Sequence, residues 1–298
     1  MSTLPPRVVI VTRETEYELL LARHATREAA RFHLQSRGQE LGPVEARHHA
    51  QMEAVQKVRA TLPRSWRQAS AKRSELDRFL FAPGDMIAAV GQDGLIANVA
   101  KYLDGQPVVG INPDPATIDG VLSRISPDHA AEALSAAATG EARVEARTMV
   151  EARLDTGETL LALNEIFVGH RSHQSAIYEL RHGPNSERQS SSGLIVSSGT
   201  GATGWARSIM TATHHEVKIE PCRAEAIYFV REAWPSRTTS TRLAVGRVSP
   251  KVPVEVTSRM EGGGVVFADG IEQDFLRLDW GTRVAVRPAD RTLSLVVG

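Results

Sequence analysis

The stretch DMIAAVGQDGLIANVAKYL, Asp85–Leu103, decides how the chain is read. It opens as a short apolar run and turns through Gly91-Gln92-Asp93-Gly94. It then continues with Leu95, Ile96, Val99 and Leu103 on one side of a helical pattern. A glycine at such a strand-to-helix corner allows positive φ and a close approach of backbone to ligand. The helix N-terminus offers unpaired N–H groups and the positive end of a dipole, which suits phosphate. An acid there would repel phosphate, so Asp93 makes chemical sense if it acts on a hydroxyl beside the phosphate. For the tetrapeptide alone, an ordinary turn with a surface acid is the competing reading.

Outward from this corner, strand and helix patterns alternate. RVVIVT (Arg7–Thr12) reads as a strand, followed by one long helix over ETEYELLLARHATREAARFHLQS, ended by Gly38. Glu and Arg three and four residues apart support that helix. Gly42-Pro43 reads as a break, and a second helix is expected over Val44–Leu62, with Met52, Val55, Val58 and Leu62 inward and Pro63 as its stop. SWRQASA is a weak strand, DMIAAVG a better one, and PVVGIN (Pro107–Asn112) a further buried strand. Alternating strands and helices indicate a parallel sheet in a Rossmann-like α/β domain, assigned to residues 1–125.

From Ser126 the character changes, and residues 126–298 are assigned to a β-rich domain. SPDHAAEALSAAATG reads as one capped helix ending at Gly140. ARVEARTMVEARL, TLLALNEIFVG and QSAIYELRHG then show alternation or β-rich apolar runs. AEAIYFVREAW, TRLAVGRV, VPVEVTSRM, GGVVFADG, TRVAVRPA and TLSLVV follow as strands, interrupted only by a helix at TGWARSIMTA (Thr203–Ala212). No internal repeat and no low-complexity segment occurs.

The bulk numbers narrow the function classes. The chain has 298 residues, 42% of them hydrophobic and 23% charged, with Lys+Arg and Asp+Glu balanced at 35 each. There is no basic excess or basic run to suggest a nucleic-acid or anionic-membrane partner. The single cysteine, Cys222, rules out an internal disulfide and a cysteine-based zinc site. No apolar run approaches the roughly 18 residues that span a bilayer. The first strand begins so early that no signal peptide is expected, and a cytoplasmic protein is the expectation. His48-His49 and His214-His215 lack an acid at metal-motif spacing, so no metal-ligating residue is assigned.

Three further stretches carry chemistry. VVGINPDP (Val108–Pro115) is a buried strand running into a turn-rich loop, and loops at strand C-termini line the ligand crevice of a parallel sheet. ALNEIFVG (Ala162–Gly169) places Asn164 and Glu165 side by side in an apolar strand. Neighbours on a strand point to opposite faces, so at least one turns inward unless the strand is bulged; such a pair can hold a ribose or amide edge. SSGLIVSSGTGATGW (Ser191–Trp205) leads a buried strand through a Ser/Gly/Thr loop into a helix. A plain loop, a strand end reaching water and a flexible linker are the respective bland alternatives.

Together these stretches resemble the NAD kinase family. That family carries a Gly-Gly-Asp-Gly-Thr corner, a Gly-(Val/Ile)-Asn strand end, an Asn-Glu pair, a Thr-Gly-Ser loop and a late Asp-Gly, the last matched by Asp269-Gly270. The wording is most similar to the mitochondrial-type branch, and the resemblance is densest over Val90–Trp205. It implies an N-terminal α/β domain and a C-terminal β domain. It implies transfer of the ATP γ-phosphoryl group to the adenosine ribose 2′-hydroxyl of NAD, with Asp93 as general base and Mg²⁺ accompanying ATP. Gly91, Gln92, Gly94 and Asn112 would border the substrates, Asn164 and Glu165 would grip the adenosine, and Thr200, Gly201, Thr203 and Trp205 would line the same pocket. A homodimer or higher homo-oligomer formed through the β domain is also implied. The chain departs from the pattern at Gln92, where the family has glycine, and at Leu95, Ser192 and Ala202. Two rivals stay open: a kinase of the same fold acting on a lipid or sugar hydroxyl, and a non-catalytic dinucleotide-binding protein.

Overall fold

Four β-branched and apolar runs form a parallel sheet near the N-terminus of this computed structural model, which describes residues 5–297. They are β1 (Arg7–Thr12), β2 (Arg67–Lys72), β3 (Asp85–Val90) and β4 (Pro107–Ile111), in the order β2-β1-β3-β4. All three pairings are parallel. The helices between them are α1 (Glu16–His24), α2 (Arg27–Gln35), α3 (Leu41–Thr61) and α4 (Asp93–Ala100), followed by α5 (Ala130–Thr139). Side-chain alternation sorts the sheet's two faces. Val8, Ile10, Met86, Ala88, Val90, Val109 and Ile111 pack with Ala54 and Val58 of α3 and with Ala130 and Leu134 of α5. Gly110, of the opposite parity, meets Ile96 of α4. The buried Asp85 at the head of β3 is held by two hydrogen bonds from Arg7, Nε to Oδ1 at 2.6 Å and Nη2 to Oδ2 at 2.5 Å. That pairing removes most of the cost of an acid inside the layer.

Three expectations for this half need correction. The long helix after β1 is two: Ala25 takes φ 63°, and Thr26 caps α2 by accepting from the Ala29 N–H. A side-chain cap at Thr26 offers the backbone an alternative to continuing the helix. Gly42-Pro43 does not break the chain but lies in the first turn of α3, where proline lacks only an N–H that would be unpaired anyway. On α3, Val58 and Leu62 are buried while Met52 and Val55 are only half-buried; Gln51 and Ala54 complete the inner stripe.

The chain divides into one unit that ends at Glu145 and takes back the chain from Ser294, and another over Ala146–Leu293. The boundary therefore lies beyond α5 rather than at 125/126, because α5 packs on the parallel sheet. The return segment lies beside β4, with Ser294 and Leu295 paired in parallel to Pro107 and Val108.

The second unit is built from antiparallel strands in two sheets. One contains β8 (Ala176–His182), β9 (Asn185–Ser191), β13 (Val254–Ser258) and β16 (Arg283–Val296), with β5 (Val144–Leu154) and β6 (Thr159–Ala162) joined to it. The other has the order β12-β11-β10-β7-β14-β15: β12 is Val245–Val248, β11 Ala226–Val230, β10 Leu194–Ser198, β7 Glu165–His170, β14 Gly264–Ala268 and β15 Phe275–Arg277. Alternate residues separate the layers. Leu194, Val196, Tyr228 and Val266 enter the core shared by the two sheets. Ile195, Ile227 and Phe229 turn to α6 (Trp205–Thr213), where Ala206 is buried. TRVAVRPA and TLSLVV, read as two strands, form the single β16, while β9 and β15 have no counterpart in the sequence reading. TLLALNEIFVG is the reverse case, two strands with a bend at Leu163-Asn164. Among the described residues no helix is long and apolar enough to cross a membrane, and Cys222 is a free, exposed thiol.

Candidate functional site

Asp93 is the first residue of α4, after Gln92 at the N-cap. The preceding Gly91 takes φ 156° and donates its N–H to Ile111 O at 2.9 Å, tying the corner to the end of β4. Gln92 and Gly94 are exposed, and Asp93 is half-buried. The Asp93 carboxylate meets four protein donors, all from the loop after β4. Oδ1 accepts from Leu122 N–H at 3.0 Å, Ser123 N–H at 2.8 Å and Ser123 Oγ–H at 3.0 Å, and Oδ2 accepts from Val121 N–H at 2.9 Å. The loop can reach this position because β4 carries Gly110: a Cβ there would stand 2.3 Å from Leu122 O. The acid that looked odd at a helix N-terminus is thus satisfied by three backbone N–H groups and the Ser123 hydroxyl.

The other sequence-predicted residues of this unit behave differently. Asn112 is buried and bonded inside its own loop, donating from Nδ2 to Ile118 O at 2.7 Å and accepting at Oδ1 from Asp114 N–H at 3.0 Å. It shapes the turn that delivers residues 121–123. Gln92 accepts at Oε1 from Arg13 Nη2 at 3.3 Å, which leaves its amide hydrogens available at the corner.

In the second unit, Asn164 lies in the bend before β7 and Glu165 is the first residue of β7, and one residue explains the bend. Asp269, in the left-handed region at φ 51°, accepts from Leu163 N–H at 3.0 Å, Asn164 N–H at 2.7 Å and Glu165 N–H at 3.3 Å. Asn164 O in turn accepts from Ser198 N–H at 2.9 Å. These bonds bend the chain at Leu163-Asn164, while Glu165 joins the ladder opposite Ser197. Among the described residues, neither the Asn164 amide nor the Glu165 carboxylate has a hydrogen-bond partner, although Glu165 is only 8% exposed. Burial, and then the neighbouring charge of Asp269, push the Glu165 carboxyl up to about 7. The Glu165 oxygens are not enclosed, so this acid with a raised pKa is open to a donor supplied by a ligand.

Ser198 builds the adjoining loop. Its Oγ donates to Leu163 O at 2.5 Å and accepts from Thr200 N–H at 3.1 Å and Gly201 N–H at 3.2 Å. Gly201 permits this packing, since a Cβ would lie 2.2 Å from Asn164 O. Thr200 is buried, and its Oγ1 lies 3.5 Å from Nη1 of the buried Arg147. Thr203 is exposed and donates from Oγ1 to Thr200 O at 3.0 Å. Trp205 starts α6 with its ring stacked near Phe167 at 6.0 Å between centroids, and with the Arg231 guanidinium 5.0 Å over it. It anchors the helix to the sheet. A groove of about 980 Å³ runs beside this loop, lined by Ala202, Thr203, Arg207, Met210, Val217 and Ile219 among others. Neither Asn164 nor Glu165 lines it.

The structure therefore brings Asn164, Glu165, Thr200 and Gly201 into one hydrogen-bonded assembly, and Gly91, Gln92, Asp93 and Gly94 into a separate corner. Sequence reasoning did not single out Ser123, Ser198 or Arg147. Asp269 was noted only as a motif match, although it holds the whole Asn-Glu bend. Among the described residues no group of three or more His, Cys, Asp or Glu side chains could hold a metal ion.

Comparison with known proteins follows the same lines. No family model matches the chain. An NAD kinase of Methylococcus capsulatus is 38% identical over 133 residues, 42% of this chain and 44% of that protein. The mitochondrial NAD kinase 2 of Rattus norvegicus is 28% identical over 257 residues, 69% of this chain and 60% of that protein. The matches thus span about half the length of these relatives. The crystal structure of an NAD kinase from Archaeoglobus fulgidus in complex with ATP superposes with a TM-score of 0.60 at 20% identity, over 98% of this chain and 93% of that one, and shows the same fold. With an Asp93 corner, an Asn-Glu bend and a Ser/Gly/Thr loop in the order NAD kinases carry them, the chain is similar to NAD kinases over part of its length and shares the fold of their solved structures.

Proposed function

We propose that the protein is an ATP-dependent NAD kinase, phosphorylating the adenosine ribose 2′-hydroxyl of NAD to give NADP. The observation that carries the chemistry is Asp93: a carboxylate held by four donors at a helix N-terminus, with one oxygen only partly occupied. In this reading the helix end, with the exposed Gln92 and Gly94, receives phosphate, and Asp93 takes the hydroxyl proton as the acceptor oxygen attacks the γ-phosphorus. The unpartnered Asn164 amide and Glu165 carboxylate suit the hydroxyl and amine edges of an adenosine. They favour a nucleoside acceptor over a lipid, whose recognition needs apolar contact. Mg²⁺ would come with ATP; it is bound mainly by phosphates and water and needs few protein ligands, which fits a corner with one acid. The mitochondrial-type branch, a homodimer formed through the β-rich unit and a cytoplasmic setting belong to the same proposal.

The test is direct. Incubating the protein with Mg-ATP and NAD and measuring NADP should show ATP-dependent formation. If NAD binds but no NADP forms, the non-catalytic dinucleotide-binding reading takes over. If neither occurs while a sugar or lipid hydroxyl is phosphorylated, the acceptor assignment fails.

A further inference from the structure

Asp93 is half-buried at the start of α4, and a short aspartate side chain there has several ways to turn. What holds it is Ser123, a buried residue 1% exposed that gives Oδ1 two donors, its own N–H at 2.8 Å and its Oγ–H at 3.0 Å. Leu122 N–H adds a third donor to the same oxygen at 3.0 Å. An ionised carboxylate offers about four lone-pair sites over its two oxygens. Oδ1 is therefore saturated, whereas among the described residues Oδ2 accepts one hydrogen bond, from Val121 N–H at 2.9 Å. The two oxygens of this acid are not equivalent.

Resting on the kinase reading above, we infer that Ser123 is a positioning residue for Asp93 and that Oδ2 is the oxygen that takes the substrate proton. The step balances. The acceptor O–H bond breaks and its proton passes to Oδ2. The acceptor oxygen bonds to the γ-phosphorus, and the bond to the bridging oxygen breaks with its electron pair leaving on ADP. Ser123 touches neither substrate nor reacting atom; its hydroxyl keeps Oδ1 turned into the loop so that Oδ2 stays outward. Asp93 is at the same time a clamp on residues 121–123. A purely structural clamp would need no hydroxyl at 123, because the three backbone N–H groups persist whatever side chain stands there.

The experiment compares the parent with Ser123→Ala and Ser123→Thr in steady-state NADP formation, with NAD titrated separately and thermal unfolding recorded. Losing one charge-assisted hydrogen bond to the acid should lower kcat of Ser123→Ala roughly 10- to 100-fold. KM for NAD and ATP, the Kd for NAD and the unfolding midpoint should stay close to the parent's. Ser123→Thr keeps the donor and should restore most of kcat. An active parent with unchanged kcat in Ser123→Ala overturns the inference and leaves the kinase reading standing. So does a Ser123→Ala variant whose kcat, NAD affinity and unfolding midpoint fall together, the mark of a loop staple. A parent that binds NAD and forms no NADP overturns the kinase reading, and the inference with it.

Discussion

Two acids of this chain are treated in opposite ways. Asp93 is half-buried and receives four protein hydrogen bonds; Glu165 is more deeply buried and receives none among the described residues. A carboxylate supplied with backbone donors is fixed in direction, as a positioned proton acceptor must be. A carboxylate denied donors is held near neutrality and keeps its bonding capacity for something that arrives, as a recognition group must. The same contrast separates the amides. Asn112 is engaged by its own loop, while the Asn164 side-chain amide has no hydrogen-bond partner among the described residues. Asp269, the third acid, completes the pattern: three backbone N–H groups occupy it, and it shapes the bend that presents Asn164 and Glu165.

The sharpest way to break this comparison is Asp93→Asn. A positioned general base contributes roughly 10²- to 10⁴-fold in rate, so kcat should fall by that factor with NAD affinity nearly unchanged. An asparagine also brings NH₂ against the loop's N–H donors, so the unfolding midpoint should drop as well, since each buried donor left unpaired costs about 1–3 kcal/mol. Parental turnover in this variant would remove Asp93 from the mechanism.

Glu165 makes the opposite forecast. Its folded pKa, about 7, lies above the ordinary 4.5, so between those values the folded molecule holds a proton that the unfolded chain has released. Its contribution to stability is complete below about pH 4.5 and is lost as pH rises through about 7. The difference amounts to roughly 3 kcal/mol in the pH 8 range. Glu165→Gln, neutral throughout, should unfold at higher temperature than the parent at pH 8 and at nearly the same temperature at pH 4. An acid that stabilised the fold would give the reverse, and denaturation scans at the two pH values decide.

Asn164→Ala is a smaller test. With no protein hydrogen bond to lose, it should leave stability within about 0.5 kcal/mol. It should weaken NAD binding by about 0.5–1.5 kcal/mol, a few-fold to roughly tenfold in Kd. Calorimetric titration showing parental affinity would remove Asn164 from the binding assignment.

The smallest effect is expected at Gln92. Its Oε1 is engaged by Arg13, which leaves its amide hydrogens available to a ligand. Gln92→Gly should then raise KM for ATP by about two- to tenfold, the loss of one hydrogen bond to phosphate. A variant that turns over faster than the parent would show instead that the side chain obstructs the donor.

Much of this molecule is decided by the sequence alone. The alternation of RVVIVT, DMIAAVG and PVVGIN with helical stretches sufficed for the parallel layer, because periodicity and glycine corners are local signals. The same held for the β-rich second half and for the order of the Asp93, Asn164-Glu165 and Thr200-Gly201 motifs. What only the tertiary structure decided is how each polar group is satisfied. The helix break at Ala25-Thr26 depends on a side-chain cap. The union of two apparent strands into β16 depends on partners far along the chain, as does the bend at Asn164, which exists because Asp269, more than a hundred residues later, takes its backbone N–H groups. Ser123 carries no motif of its own. It matters only because Gly110 lets Leu122 settle against β4 and brings the hydroxyl within 3.0 Å of Asp93, a contact between residues thirty positions apart. A sequence names the groups that can donate and accept, but hydrogen bonds of this range are made by the fold, and they determine which acid is held in place and which is left waiting.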